Sequence, residues 1–301
     1  MADRWNAFRA VFAAGGVMGQ GTNLTTGDLP FSDAGLKTFA RFGRLSGNTA
    51  TGGLNFTYNM ESQDCYCFVG KTVTLSFYYR TGANFSGTSL GGRIYTGTGP
   101  DEAVRNGLTG STFVVATYNP NTSWQRGSLT YTIGTNINQI CLSFGYTPVG
   151  TAGAADHFDI TGVQLELGSV ATPFEVRPYP VELQLCMRYT YVMTNTSTSA
   201  GALRFGAGHA VSSTDANIRI QHLVQLRAIP TVSTTGSLFL SDANTGHTVT
   251  SSILQSITSG KDATQLIVSI SPATSLVQYR PYYFEVTGGV NGQSLILSAE
   301  L

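Results

Sequence analysis

Apolar and polar residues alternate with a period of two over much of the chain. The segment 71–82, KTVTLSFYYRTG, places apolar or aromatic side chains at Val73, Leu75, Phe77 and Tyr79, with mostly polar ones between them. The segments SLTYTIG and QICLSFGYTP repeat the pattern, and Gly, Pro or Asn bounds each run. Because successive side chains of a strand point to opposite faces, these runs predict half-buried β-strands joined by turns.

Many short alternating strands with polar turns between them are typical of antiparallel sheets packed as sandwiches or jelly rolls. Helical periodicity is nearly absent from the chain. The best candidate is the segment 180–190, PVELQLCMRYT, where Val181, Leu185 and Tyr189 recur at intervals of four. The same residues also alternate, and we predict a strand there rather than a helix.

The length of 301 residues is enough for two domains, each with its own core. The Pro178-Tyr179-Pro180 spacing favours a stiff, extended connection, so we place the boundary there, with one domain over 1–177 and another over 178–301. Beyond it, four alternating runs predict a second β-rich unit: IRIQHLVQLRAIPTVST, QLIVSISPAT, RPYYFEVTG and SLILSAEL.

Charged residues are scarce, at 11% of the chain against roughly 25% in an average soluble domain. Thr, Ser, Asn, Gln and Gly must cover the surface instead, a composition common in extracellular or particle-surface proteins. Lys plus Arg and Asp plus Glu number 17 each, which leaves no net field to attract nucleic acid or an anionic membrane. There is also no run of about 20 apolar residues to span a bilayer. We expect neither nucleic-acid binding nor membrane insertion.

The cysteines do not indicate a disulfide scaffold, because a chain this long has only Cys65, Cys67, Cys141 and Cys186. No Cys-x-x-Cys pair and no neighbouring His point to a zinc site. We expect all four to be buried thiols of a protein made in a reducing cytosol.

Five segments together resemble a recurring pattern in phage tail-fibre and related virion structural proteins. They follow the family order over nearly the whole chain: ADRW, VTLSFYYR, DITGVQLELGSVATPFEVRPYPVELQLCMRYT, LVQLRAIPTVS and SAEL. The resemblance implies an all-β protein, with an N-terminal jelly-roll β-sandwich like a carbohydrate-binding module and a second, C-terminal β-sandwich. It also implies a homotrimer that contacts other virion proteins of the tail or capsid.

The function that the resemblance implies is non-enzymatic attachment of a virion to host-surface glycans, by a tail-fibre or particle-surface fibre component made in the host cytoplasm. Two alternatives stay open, a capsid decoration protein and a glycan-degrading tailspike enzyme. The carboxylates favour the non-enzymatic reading. Glu166 faces away from the apolar side chains of its strand, and Glu175 and Glu182 lie near Arg177 and Arg188 as ion-pair partners.

Glycan binding needs aromatic rings that stack on the C–H faces of sugars, with amides and other polar groups for the hydroxyls. Trp124 in NPNTSWQRGS is expected to be exposed, and Asn121, Gln125 and Arg126 flank it. Tyr78 lies on the polar face of its strand and is a second candidate. Three further aromatics lie near polar loops: Phe85, Tyr95 and Tyr118.

Two further expectations concern a metal and an interface. Similar jelly-roll modules often hold a structural calcium through carboxylates and carbonyls, and Asp159 resembles the acidic residue at the start of their closing strand. No other cofactor is expected. In VQYRPYYFEV, Tyr279, Arg280, Tyr282 and Tyr283 form a composition that is enriched at interfaces, so we expect them at a trimer contact.

Overall fold

A computed structural model describes residues 5–9, 16–196, 203–242, 245–255, 259–270, 275–286 and 292–299. The chain divides between Val176 and Arg177 into two compact units. Strands supply most of the regular structure in both, which confirms the all-β prediction. No helix among these residues is long and apolar enough to cross a membrane.

In the part of the chain that the structure describes, the first unit has ten strands and two short α-helices. In chain order they are β1 (Trp5–Arg9), β2 (Gly16–Thr22), α1 (Leu29–Ala34), β3 (Thr38–Arg44), β4 (Leu54–Asn59), α2 (Ser62–Cys65), β5 (Thr72–Thr81), β6 (Leu90–Gly97), β7 (Thr112–Tyr118), β8 (Gln125–Thr132), β9 (Gln139–Tyr146) and β10 (His157–Leu167). Sheet 1 has the order β1-β4-β9-β6-β7, and sheet 2 has the order β2-β3-β10-β5-β8. All the pairings are antiparallel, as in a jelly-roll sandwich.

The core of the first unit lies between the inner faces of the two sheets. Val73, Leu75 and Phe77 of β5 are completely buried there, as their alternation predicts. From sheet 1, the ring of Phe144 meets Phe77 with 4.6 Å between centroids. Burying a side chain of this kind contributes about 1.5–3 kcal/mol relative to leaving it exposed.

The outer face of sheet 2 carries a second, smaller apolar cluster. Leu24, Phe39, Tyr78 and Trp124 are buried in it, and four partly buried side chains pack against them: Leu29, Phe31, Leu36 and Phe174. The chain around α1 therefore folds back over this face of the sheet.

A bulge in β10 fits that cluster to the sheet. The register against β5 shifts between Thr161 and Gln164, and Gly162 has a φ of 57°. A Cβ at Gly162 would lie 2.8 Å from the Tyr78 ring. Glycine is therefore needed here both for its conformation and for the close approach of the ring.

The described residues of the second unit form one helix and nine strands. They are α3 (Tyr179–Met187), β11 (Thr190–Thr194), β12 (Arg204–Ala210), β13 (Asp215–Gln221), β14 (Thr231–Thr235), β15 (Leu238–Ser241), β16 (Gly246–Gln255), β17 (Ala263–Ile270), β18 (Pro281–Val286) and β19 (Ser294–Ser298). A three-stranded sheet has the order β11-β19-β14, and six strands close into a barrel in the order β12-β13-β17-β16-β15-β18. The barrel closes because β18 pairs with both β12 and β15, which leaves no open edge in it.

The strand prediction for the segment after Pro178 is wrong, because residues Tyr179–Met187 form helix α3. Pro178 is the N-cap residue and Pro180 lies in the first turn. The first-turn N–H groups have no partner inside a helix, so proline costs little there. The two prolines begin a helix instead of forming an extended linker.

The expectation of four buried thiols is correct for only two of them. Cys65 and Cys141 are fully buried, and burial raises the pKa of each thiol to about 12. Cys67 is exposed and Cys186 is half-buried. Cys65 ends helix α2, so Cys65 and Cys67 do not share the face of a strand.

Candidate functional site

The predicted aromatic platform at Trp124 and Tyr78 is not exposed. Trp124 is 8% exposed and Tyr78 is 1% exposed, both in the cluster on the outer face of sheet 2. The guanidinium of Arg80 lies 4.7 Å from the Trp124 ring centroid and 5.0 Å from that of Phe39. The prediction of an open platform is wrong because α1 and Phe174 cover these rings.

The three polar neighbours of Trp124 separate in the structure. Arg126 donates a hydrogen bond to the carbonyl of Thr172 and stacks over Tyr78, with 5.6 Å between its Cζ and the ring centroid. Gln125 is half-buried at the start of β8. Asn121 is exposed, and its carbonyl oxygen accepts from the Thr81 N–H at 2.8 Å. These residues hold a loop and a cluster together and do not form one open surface.

Asn121 also lines a pocket of about 310 Å³ at one end of the sandwich. Phe85 forms part of the wall, and its ring packs on Tyr146 with 4.5 Å between centroids. None of the residues that line the pocket carries a charge, and most of its wall is glycine, alanine, proline and threonine. Its lining includes three threonines and Asn121 as polar residues, and Phe85 is the aromatic residue among those that line it.

Asp159 lies buried on sheet 2 between two arginines. Its Oδ1 accepts from Arg41 Nε at 2.7 Å, and its Oδ2 accepts from Arg80 Nε at 2.8 Å and from Arg41 Nη2 at 2.9 Å. The two guanidinium groups neutralise the carboxylate and would repel a divalent cation. Among the described residues, no group of three His, Cys, Asp or Glu side chains could hold a metal ion. The donor set therefore does not fit the calcium site expected at Asp159.

Glu166, near the end of the first unit, anchors a loop. Glu166 accepts hydrogen bonds from the Thr172 N–H at 2.9 Å and from the Thr172 hydroxyl at 2.6 Å. Burial raises the pKa of Glu166, but these hydrogen bonds and one from Gln164 outweigh it, so the pKa is below its usual value. In the second unit, Glu182 forms the expected ion pair with Arg177 at 3.4 Å.

A loop covers one end of the outer face of sheet 1. It spans residues 98–111 and includes a short 3₁₀ helix, Val104–Asn106. The Val104 N–H donates to Asn59 Oδ1 at 3.1 Å, and the Glu102 N–H donates to Gln139 Oε1 at 3.1 Å. These contacts fasten the loop to β4 and β9, where the outward side chains are completely buried.

Beyond that loop, the outer face of sheet 1 presents two aromatic rings side by side. Tyr95 of β6 and Phe113 of β7 are direct register partners, with ring centroids 5.1 Å apart and planes inclined at 33°. Phe113 is 57% exposed and Tyr95 is half-buried. Farther along β7, Val115 and Thr117 are also exposed on this face. The strip combines an apolar platform with a polar end.

Arg93 lies two residues from Tyr95 on the same face of β6. Its Nη1 donates to Asn55 Oδ1 of β4 at 3.3 Å, so the side chain crosses β9 between them. Gly91 and Gly145 form the floor below it. A Cβ at Gly91 would lie 3.0 Å from Arg93 Nη2, and one at Gly145 would collide with Asn55 Oδ1. Glycine at these positions allows the guanidinium to lie flat on the sheet.

Ser143 adds a hydroxyl to the same face. It is the register partner of Arg93 on β9 and is 1% exposed. Among the described residues its buried Oγ has no hydrogen-bond partner, which is costly in a folded protein unless a ligand or water serves it. We call this group the sheet-1 site; it consists of Asn55, Arg93, Tyr95, Phe113 and Ser143.

The predicted platform residues Trp124 and Tyr78 pack on sheet 2, whereas the aromatic pair Tyr95–Phe113 lies on the outer face of sheet 1. Of the three aromatics predicted near polar loops, Tyr95 belongs to the sheet-1 site. Phe113, Arg93 and Asn55 are not among the residues predicted from the sequence. A signal for Phe113 does exist. In Thr112–Tyr118, alternation against Val114 and Tyr118 puts Phe113 on the outward face.

The four predicted interface residues differ in their environment. Tyr282 is 1% exposed and points into the barrel core, so its assignment to an interface is wrong. Tyr279 is 76% exposed, Arg280 is exposed, and Tyr283 is 37% exposed beneath the guanidinium of Arg204 at 3.9 Å. Alternation along β18 explains the split, because Tyr282 and Tyr283 point to opposite sides of the barrel wall.

No protein-family model matches the chain, and no curated protein matches it. Several solved structures align with part of the chain. The enzymatically active domain of tailspike protein 4 from bacteriophage CBA120 aligns over 55% of this chain and 19% of its own length, with 13% identity and a TM-score of 0.39. The CBM22-1 xylan-binding domain of Xyn10C from Paenibacillus barcinonensis aligns over 56% of this chain and 87% of its own, with 13% identity and a TM-score of 0.33. TmCBM61, in complex with β-1,4-galactotriose, aligns over 56% and 92%, with 10% identity and a TM-score of 0.31. At these identities the likeness concerns the β-sandwich fold alone.

Proposed function

We propose that the first unit binds a glycan on the outer face of sheet 1. The observation that carries this proposal is the pair of rings formed by half-buried Tyr95 and exposed Phe113, beside the Arg93–Asn55 hydrogen bond. A sugar ring has apolar C–H faces and hydroxyl groups at its edges. Aromatic platforms bury the former, and guanidinium, amide and hydroxyl groups bind the latter.

The exposed strip on β7 favours a chain of sugars over a single one. Phe113, Val115 and Thr117 are exposed at alternate positions of the strand. Four residues of strand span about 13 Å, which exceeds the width of one sugar ring. Since β7 is the edge strand of sheet 1, a polysaccharide has access along its length.

We further propose that the protein is a non-enzymatic virion component, part of a tail fibre or a particle-surface fibre that attaches the particle to a host-surface glycan. In this proposal it is made in the host cytoplasm, assembles as a homotrimer and contacts other virion proteins. The ordered resemblance of five sequence segments and the low charge content support it. The hydrogen bonds that bind the carboxylates of Glu166 and Asp159 within their own unit favour binding over hydrolysis.

Binding of the purified chain to immobilised host polysaccharide tests the glycan site. Replacing Phe113 with Ala should weaken binding about five- to thirtyfold, the effect of losing about 1–2 kcal/mol at a central aromatic contact. Tyr66→Ala is the matched control, because Tyr66 is 63% exposed and follows helix α2. A Phe113→Ala protein that binds as tightly as the unaltered chain would remove the sheet-1 site from the proposal.

The virion role has separate tests. Incubation with host polysaccharide should release no reducing ends, and release would favour the tailspike enzyme. Sedimentation equilibrium should give three times the 31.9 kDa chain mass, and a monomer would contradict the trimer. The protein should purify with tails or surface fibres, whereas many copies on isolated heads would favour a capsid decoration protein.

A further inference from the structure

We infer that the sheet-1 site selects an acidic sugar, whose carboxylate is bound by Arg93; this inference rests on the proposed glycan-binding function. The arginines of this unit differ in how their charge is balanced. Arg44 pairs with Asp156, and Arg41 and Arg80 share Asp159. Within the described residues, no carboxylate forms an ion pair with Arg93, whose hydrogen-bond partner is the neutral amide of Asn55.

Arg93 is also held in place before any ligand arrives. Its hydrogen bond to Asn55 and the glycine floor fix the guanidinium across the sheet. A guanidinium has five N–H donors in a planar fork, and the contact with Asn55 uses one of them. The remaining donors match the two oxygens of a carboxylate better than a single hydroxyl. Because no carboxylate in the described part of the chain pairs with this half-buried cation, an anionic ligand is favoured.

The position of Arg93 relative to the rings fits a sugar that carries this carboxylate. Arg93 and Tyr95 are neighbours on one face of β6, and Phe113 is the register partner of Tyr95. A sugar ring stacked on Phe113 and Tyr95 places a substituent at its edge toward Arg93. Ser143 is the register partner of Arg93 on β9, and its buried hydroxyl, on the same side of the sheet, has no hydrogen bond to any residue that the structure describes. The ligand class is therefore an oligosaccharide of uronic or sialic acid.

The carboxylates of the loop at the covered end of this face already have hydrogen-bond partners. The loop at the covered end carries Asp101 and Glu102. Asp101 Oδ1 accepts from the Ser62 N–H at 3.0 Å, and Glu102 accepts from the N–H and hydroxyl of Thr109 at 2.8 and 2.6 Å. The loop also holds Arg105, a second positive charge. These bonds tie Asp101 to the start of helix α2 and Glu102 to its own loop.

The first experiment compares ligands with and without a carboxylate on the unaltered protein. Titration calorimetry of the full chain uses tetragalacturonate, tetramannuronate and trisialic acid, each beside its carboxyl-reduced counterpart. At least one acid should bind about ten- to hundredfold more tightly than its reduced form, the range for a hydrogen bond to a charged group. Added salt should weaken binding of the acid more than binding of the reduced form.

Variants then assign the preference to Arg93. Arg93→Gln should abolish the difference between the acid and its reduced form, and Arg93→Lys should keep part of it, because lysine retains the charge without the planar fork. Phe113→Ala should weaken both ligands equally. Arg177→Gln removes the same charge from an exposed site and should change neither. Circular dichroism and thermal melting check that each variant folds.

The outcomes separate the two proposals. Equal binding of every acid and its reduced form overturns the acidic preference and leaves glycan binding in place. A preference that survives in Arg93→Gln overturns the role of Arg93. If none of the probes binds, the acidic preference is overturned. If host polysaccharide also fails to bind, the proposed function is overturned as well.

Discussion

The ion pair between Arg44 and Asp156 is completely buried in the first unit. Both side chains are 0% exposed, and Arg44 Nη2 lies 2.7 Å from Asp156 Oδ2. Asp156 also accepts from the Ser86 N–H at 2.9 Å and from the Tyr146 hydroxyl at 3.1 Å. Arg44 in turn donates to four loop carbonyls, those of Asn48, Ala50, Val149 and Gly150. One charge pair therefore fastens several loops at this end of the sandwich.

Asp156→Asn removes the negative charge at nearly constant size and leaves the Arg44 guanidinium buried without a counter-charge. Breaking a buried pair from one side costs about 3–5 kcal/mol of the free energy of unfolding. For a unit of this size, 1 kcal/mol corresponds to about 2–4 °C in Tm, so we expect a loss of about 6–20 °C. The unit should still fold, because domains are typically stable by about 5–15 kcal/mol.

Urea unfolding followed by tryptophan fluorescence measures this loss in the first unit alone. Both tryptophans of the chain, Trp5 and Trp124, belong to that unit. The unfolding midpoint of Asp156→Asn should fall while the slope m stays unchanged. The matched control is Glu182→Gln, which breaks the exposed Arg177–Glu182 pair of the second unit, whose side chains are 57% and 50% exposed; because both tryptophans lie in the first unit, far-UV circular dichroism follows the unfolding of this variant. It should change the free energy of unfolding by less than about 1 kcal/mol.

A loss of less than about 1 kcal/mol in Asp156→Asn would refute the reasoning. It would mean that the carbonyls and water around Arg44 compensate its charge without the carboxylate. A loss in Glu182→Gln as large as that in Asp156→Asn would equally show that burial does not set the energy of these pairs.

Three further predictions follow from the first unit. Burial lowers the pKa of His157 below its ordinary value of 6.5, so the unfolded state takes up the proton first and stability should fall as the pH drops below about 6.5; His157→Gln should flatten a urea-midpoint profile there. A thiol reagent should modify Cys67 in the native protein, and the two buried cysteines with raised pKa values should react only in urea; native labelling of all three would contradict their burial. Gly145→Ala should cost about 1–3 kcal/mol in urea unfolding because a Cβ would collide with a backbone carbonyl of β4, whereas the control Gly19→Ala meets open space and should be neutral.

The alternation of the sequence determined the strands of the core and their inward faces. Val73, Leu75 and Phe77 are buried as predicted, because a strand turns successive side chains to opposite faces whatever its partners are. The same local rule would have placed Phe113 outward. Alternation failed for Tyr179–Met187, where helical and strand periods both fit the residues and the two prolines decided for a helix.

Local patterns also predicted an all-β chain and the Glu182–Arg177 pair, whose partners are close in sequence. The partners of Asp159 were not predictable in this way. Arg41 lies 118 residues away and reaches Asp159 only through the pairing of β3 with β10. A carboxylate that resembled a calcium ligand is therefore bound to arginines.

Only the tertiary structure decided which outer face is open. Trp124 stands in a polar loop and looks exposed, yet α1 and Phe174 cover it from segments some 50 residues or more distant along the chain. On sheet 1, Arg93, Asn55 and Phe113 become one site only because β4, β9, β6 and β7 pair in that order. The inward or outward direction of a side chain is a property of its own strand. What lies above an outward side chain depends on where distant segments pack, and the period of a single strand carries no information about that.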